Sequence, residues 1–454
     1  MSPESVSTQR LGELIEAQER ALLVRQNKSA LLIARAGRSL AGGVTSSWQI
    51  SRPQTVWVEG GRGSKITDVD GNEYVDLHGG YGAMAVGHAH PKIVEAISSR
   101  IAKGSHFGQP TEDAIVVAED LAQRFGLPLW RFCNSGTEAT MDAVHLMRVA
   151  TGRTKIVKIE GAYHGHHDSV HVSFRPDEVA AGSRERPNSV GSAGIPRAMA
   201  DLTIIAPFND AEALASIFDE HSGQIAGLII EPVMMNAGII EPDEGYLTAV
   251  RDITRRHGAL LAFDEVKTGV TIHPGGATAL FGVKPDIICL AKSIGGGLPC
   301  GAIGGTDEVM SLIVSGQYEQ VGTFNGNPLT LAAARATLTE ILTDDAYAHF
   351  EALKAQLVDA CTSVIETNGL PAYVVALGAK GRVTFSPNRV RDYRGFLASD
   401  DRFSHCHWLY QFNGAVFLPP WGKSEQWMLS VQHTSADVER FIDNFAAFGE
   451  ALAR

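Results

Sequence analysis

Hydrophobic positions change their spacing three times along the chain. Near the start, Leu11, Leu14, Ile15, Ala21 and Leu22 fall three, four or seven residues apart, interrupted by Gln18, and predict an amphipathic helix. Residues 65–77, KITDVDGNEYVDL, alternate around Asp70-Gly71, a turn pair that predicts a β-hairpin. From about residue 80, short unbroken apolar runs at 155–159, 226–230, 259–263 and 287–290 alternate with helical stretches, and each run ends in polar or Gly-rich residues. A strand that is apolar on both faces has to be covered on both, so these runs predict a mostly parallel sheet between helices. Past residue 330, helical spacing in LTLAAARATLTEIL and YAHFEALKAQLVDACTSVIETNG precedes strand-like pieces at 414–418 and 428–431. The expected organisation is an N-terminal segment, 1–79, contributing to a small domain; a large ligand-binding domain, 80–330; and a C-terminal small α+β domain, 331–454. Residues 180–196, rich in Gly, Ser and Pro, read as a mobile surface loop.

Composition narrows the partners. A chain of 454 residues exceeds one typical core, in keeping with two domains. Its net charge of −12, without any run of like charges, argues against nucleic acid as a partner. The polar N-terminal stretch has no apolar signal core, and runs such as 30–34 are too short to span a bilayer, so a soluble, cytoplasmic protein without membrane contact is expected. The five cysteines, Cys133, Cys289, Cys300, Cys361 and Cys406, form no CxxC pair and fit a reducing compartment. His405, Cys406 and His407 lack a second ligand cluster at a recognised spacing, so no metal is expected.

Four stretches at predicted strand ends carry candidate chemistry, because open α/β sheets bind ligands at the carboxyl ends of their strands. In CNSGTEATMDAVHLM, Ser135, Gly136 and Thr137 open a helical stretch; free N–H groups, hydroxyls and the helix dipole there suit a phosphate, although an ordinary helix cap reads the same way. In GAYHGHHDS, Tyr163 offers a flat face to an aromatic ligand, while the three histidines follow no ligand spacing. In ALLAFDEVKTG, Asp264 follows an apolar strand and needs a positive partner, which a protonated pyridine nitrogen or an arginine would provide. In CLAKSIGGGLPCGAIGG, Lys292 ends an apolar run and precedes three glycines, as a solvated strand end would, or as an amine held out of water for use as a nucleophile. Phosphate cup, flat face, carboxylate and lysine together describe pyridoxal 5'-phosphate.

These stretches, with DVDGNEYVDL, GHAHP, EPVMMNAG and GTFNGNPLT, run over nearly the whole chain in an order that resembles the fold-type I, class III aminotransferase family, in its glutamate-1-semialdehyde 2,1-aminomutase branch. The resemblance implies an α/β fold with a mostly parallel seven-stranded sheet between helices, plus the smaller α+β domain. It implies that Lys292 forms the Schiff base and shuttles the proton, that Asp264 pairs with the ring nitrogen, and that Tyr163 stacks on the ring with Val266 on its other face. Ser135, Gly136 and Thr137 would hold the phosphate, and Asn236 would lie near the phenolic oxygen. Thr323 would reach the phosphate in a neighbouring subunit's site, making the functional unit a homodimer. Residues 180–196 fall where the aminomutase has a gating loop.

The chain departs from that pattern in three places. Where the branch reads close to NSPVRAF, residues 45–51 read TSSWQIS, with Trp48 and no arginine; Arg52 is out of register. Lys267 stands where relatives carry Met or Gln, either near the phenolic oxygen or turned outward. LPPWGKSEQWMLSVQHT brings Trp421 and Lys423 to a region that shapes the substrate pocket in relatives, so Trp48, Trp421 and Lys423 are the candidate substrate contacts. The expected activity is an aminotransferase moving an amino group from an amino acid or amine donor to a keto acid through a Lys292 aldimine and pyridoxamine phosphate. The alternatives are an aminomutase or other isomerase using the same machinery, and a non-catalytic regulator that binds the cofactor.

Overall fold

A computed structural model describes residues 8–420 and 422–453. The chain divides into two compact units. The larger comprises Pro91–Tyr347 together with Val390–Ala398; the smaller gathers residues up to His90, Ala348–Arg389, and those from Ser399 onward.

Seven strands form the sheet of the larger unit: β1 (Leu129–Cys133), β2 (Lys155–Ile159), β3 (Thr203–Ala206), β4 (Ile225–Ile230), β5 (Leu260–Asp264), β6 (Ile287–Ala291) and β7 (Gly301–Gly305). Their order is β1-β7-β6-β5-β4-β2-β3. Only β7 runs antiparallel to its neighbours, β1 and β6. Every residue of β4, β6 and β7 is buried, as strands covered on both faces require.

The four apolar runs are β2, β4, β5 and β6, within a residue of their expected bounds. The other three strands were not among the runs singled out from the sequence. β1 is partly exposed along most of its length, β3 is four residues long, and β7 reads GAIGG, a composition that disfavours a strand. The β7 glycines are there for space: a Cβ at Gly304 would fall 2.6 Å from the Trp130 ring, and one at Gly301 would fall 2.5 Å from the Ser135 carbonyl oxygen. Gly227 plays the same part in β4, where a Cβ would meet Met147 Sδ at 2.1 Å. The helix Gly136–Thr151 therefore lies tight on the sheet, with Ala139, Ala143, Leu146 and Met147 in the core.

In the smaller unit the expected N-terminal helix spans Thr8–Val24, and the hairpin around Asp70-Gly71 joins Lys65–Asp68 to Glu73–Asp76. The strand piece expected at 414–418 shortens to Val416–Phe417, and the one expected at 428–431 shifts to Trp427–Met428, sharing only Met428. Among the described residues no helix is long and apolar enough to cross a membrane.

Candidate active site

Parallel strands direct their carboxyl ends to one edge, and the loops leaving β1, β2, β4, β5 and β6 meet there around a cavity of about 110 Å³. Gly136 and Thr137 enter its wall after β1, Tyr163 and His164 after β2, Glu231 and Asn236 after β4, Asp264, Val266 and Lys267 at the end of β5, and Lys292 after β6. Residues nearly 160 positions apart in sequence are thus brought to one place by the order of the sheet.

The helix Gly136–Thr151 begins at the cavity, and its first N–H groups have no partner within the helix. Gly136 is required by space: a Cβ would lie 2.9 Å from Val266 Cγ2. Gly165 lets the second loop approach the same helix start, where a Cβ would fall 2.6 Å from Thr137 Oγ1. The Ser135 hydroxyl caps the helix by accepting from Glu138 N at 3.2 Å, and Ser135 is not among the wall residues.

Asp264 is 5% exposed and accepts from His164 Nδ1 at 2.7 Å and from Val266 N at 3.0 Å. A carboxylate only accepts, so the His164 proton sits on Nδ1. His164 Nε2 is buried without a hydrogen-bond partner. Nothing in the spacing of GAYHGHHDS singled out His164 from its neighbours; only the fold sets it against Asp264.

Glu231 is the second residue that the sequence did not reveal. It is 3% exposed and organises the loop wall: Oε1 accepts from Tyr163 N at 2.9 Å, while Oε2 accepts from Met235 N at 3.0 Å and Asn236 Nδ2 at 2.9 Å. The Tyr163 ring packs on Phe174 with centroids 4.9 Å apart, and burial raises its hydroxyl pKa.

Lys292 has a backbone φ of 54°, in the left-handed region that a non-glycine residue occupies at a cost of order 1 kcal/mol. Burial lowers its ammonium pKa, opposed by the Asp264 and Glu231 carboxylates. An amine with a lowered pKa is more often neutral, the state from which it attacks or accepts a proton. Lys267 faces inward into the same cavity at 9% exposure, which decides between its two orientations; burial and the Lys292 charge push it down to about 7.

The remaining candidates have surroundings of their own. Thr323 lines a separate cleft with Phe107, Arg131 and Asn325. Trp48 belongs to the smaller unit, where its carbonyl oxygen accepts from Tyr81 Oη at 2.5 Å and its ring meets the Tyr81 ring edge-on at 5.9 Å. Lys423, in the same unit, donates its ammonium to the Ser399 carbonyl oxygen at 3.2 Å. Trp421 lies outside the described residues. His405 and His407 bond Glu19 and Glu425 respectively, and no group of three His, Cys, Asp or Glu among the described residues is arranged to hold a metal.

A lysine, a carboxylate held by a histidine, an aromatic ring and a helix start, all at the carboxyl edge of a mostly parallel sheet, define a fold-type I pyridoxal-phosphate enzyme. Residues 48–395 match the class-III aminotransferase family, and the chain belongs to it. Glutamate-1-semialdehyde 2,1-aminomutase 2 of Brevibacillus brevis is 37% identical over 426 residues, 92% of this chain and 97% of the relative. The crystal structure of an omega-transaminase from Sphaerobacter thermophilus superposes with a TM-score of 0.89 at 34% identity, covering 93% of this chain and 97% of that one. A glutamate-1-semialdehyde-aminomutase from Pseudomonas aeruginosa PAO1, in complex with PMP, gives a TM-score of 0.89 at 30% identity over 98% of this chain and 99% of that one.

The cofactor is pyridoxal phosphate, and the cavity has the groups to receive it. The open N–H groups at Gly136 and Thr137 suit a phosphate, Asp264 suits a protonated ring nitrogen, and a primary amine lies within the same walls.

Proposed function

We propose that this chain moves an amino group within one small amino-acid-like molecule, as an aminomutase, with Lys292 as its proton-transferring amine. The observation that supports catalysis is the Lys292, Asp264 and His164 constellation in one cavity. The intramolecular form is favoured by the run of relatives named glutamate-1-semialdehyde 2,1-aminomutase, 36–38% identical to this chain over about nine-tenths of its length.

Bound in the cavity, the cofactor supplies a carbonyl that carries the amino group and a protonated ring that takes up carbanion charge. Asp264 would hold the protonated ring nitrogen, and His164, donating through Nδ1, aims the Asp264 carboxylate. Gly136 and Thr137 would hold the phosphate through backbone N–H groups. Tyr163 and Val266 enclose the ring, and Glu231 fixes the backbone that carries Tyr163 as well as the Asn236 side chain. Lys292, neutral when released, takes the proton from the substrate carbon and returns it one position along.

A second reading, transfer from an amino donor to a keto acid, is favoured by the omega-transaminase structure and by residues 45–51, where Trp48 stands and the branch's arginine is missing. The two readings differ in stoichiometry. Holoenzyme given glutamate 1-semialdehyde alone should form the amino-shifted isomer, followed by NMR, with no keto acid present. Turnover only after adding pyruvate or 2-oxoglutarate would favour the transaminase. Lys292→Ala should abolish both turnover and the pH-dependent visible absorbance of the bound cofactor.

We also propose a homodimer in which Thr323 reaches the neighbouring subunit's phosphate. What supports it is the exposed apolar stretch around Thr323, with Val321 80% and Phe324 58% exposed.

A further inference from the structure

Lys267 is the buried cation to which the mechanism above gives no task. Its ammonium makes no hydrogen bond and no ion pair among the described residues. The nearby acids are all engaged by other donors. Asp264 accepts from His164 and Val266 N; Glu265 accepts from Thr268 Oγ1, Ala277 N, and both N and Oγ1 of Thr278; Glu231 accepts from Tyr163 N, Met235 N and Asn236. A lysine placed for stability would have a carboxylate of its own, because an unpaired buried ammonium is costly. This one instead shares the walls of the Lys292 cavity.

The charged and titratable groups facing it come from every side. Asp264 lies at the end of β5, Lys292 after β6, Glu231 after β4, and Tyr163 and His164 after β2. Arg175 acts on it from the next turn of that loop. Lys267 and Lys292 thus share the cavity with Asp264 and Glu231, and the charges of Lys292 and Arg175 both lower the proton affinity of Lys267.

We propose that Lys267 is a positioning residue for Lys292: confined in the same cavity, its positive charge sets the pH at which the Lys292 nitrogen gives up its proton in the holoenzyme. Coupling between two titrating sites is mutual, so the Lys292 charge that depresses Lys267 is matched by an equal effect in return. The consequence is a Lys292 nitrogen that gives up its proton at a lower pH than it would without Lys267. This rests on the reading of Lys292 given above.

The test is the pH midpoint of the holoenzyme's visible absorbance, which reads the protonation of the Lys292 nitrogen without turnover. Lys267→Met should move the midpoint upward by about one unit, a tenfold rise in proton affinity. Lys267→Arg, which is charged at every pH tested, should leave the midpoint at or below the wild-type value. Lys267→Gln, which keeps polarity without charge, gives the same upward shift and serves if the Met variant does not fold. A midpoint unmoved in the neutral variants, or raised as far in the Arg variant, would overturn the proposal. Failure of the Lys292 reading looks different: Lys292→Ala would retain the pH-dependent band, or wild type would show none.

Discussion

Single residues in this site are held in states they would not choose in water. Lys292 takes a left-handed backbone conformation and Lys267 an unpaired burial. Lys158 is also fully buried, its ammonium donating to the Ala162 and Val172 carbonyl oxygens, and burial pushes its pKa down to about 7. These lysines tie stability to pH. Each is shifted down from 10.5 to about 7, so between those values the unfolded chain binds a proton that the folded chain has released. Unfolding then takes up protons, and stability must rise with pH across that window. Thermal unfolding of the cofactor-free protein should show Tm climbing from neutral to mildly alkaline pH. Lys267→Met should flatten that climb and raise Tm most at neutral pH, where the wild type bears the cost of the buried charge. A steeper climb in the variant would contradict the assignment.

Among the elements, the short segment Val390–Ala398 holds the loop that leaves β2. Arg394 grips Glu160 through two hydrogen bonds, at 2.8 and 2.7 Å, and also donates to the Ala181 carbonyl oxygen at 3.0 Å. Tyr393 donates to the Pro176 carbonyl oxygen at 2.8 Å, and Arg184 pairs with Asp392. Gly161 is needed because the Tyr393 ring occupies the place of its Cβ, 2.0 Å away. The loop expected to be mobile from its composition is therefore tied at several points, next to the turn that presents Tyr163. Burial raises the Glu160 pKa against the opposing pull of Arg394. Arg394→Ala would leave a buried carboxylate unpaired, with an expected loss of about 3 kcal/mol in stability. Hydrogen exchange should quicken over residues 160–190 while the sheet core stays protected. Exchange unchanged in that loop would mean that Arg394 does not restrain it.

At the scale of the whole molecule, the exposed apolar stretch around Thr323 should be covered by a second copy. Sedimentation should give a dimer, and Val321→Asp with Phe324→Asp should yield monomers that bind the cofactor at least tenfold more weakly. A wild-type monomer with full cofactor affinity would rule out the shared site. The sequence by itself determined what is local. Unbroken apolar runs marked β2, β4, β5 and β6, because strands covered on both faces are apolar throughout, and the residues ending those strands carried Asp264 and Lys292. Helix-start chemistry marked Gly136 and Thr137 for the same reason: capping and dipole effects act within one turn. The tertiary structure decided what depends on distant neighbours. β7 is a strand because it pairs with β1 and β6, and its Gly301 and Gly304 are set by the closeness of Ser135 and Trp130. His164 differs from the histidines beside it only by facing Asp264, and the partners of Glu231 are mostly backbone N–H groups that no side-chain spacing encodes. Lys267 read equally well inward or outward until the order of the sheet set β5 beside β6 and left its ammonium in the same cavity as Lys292.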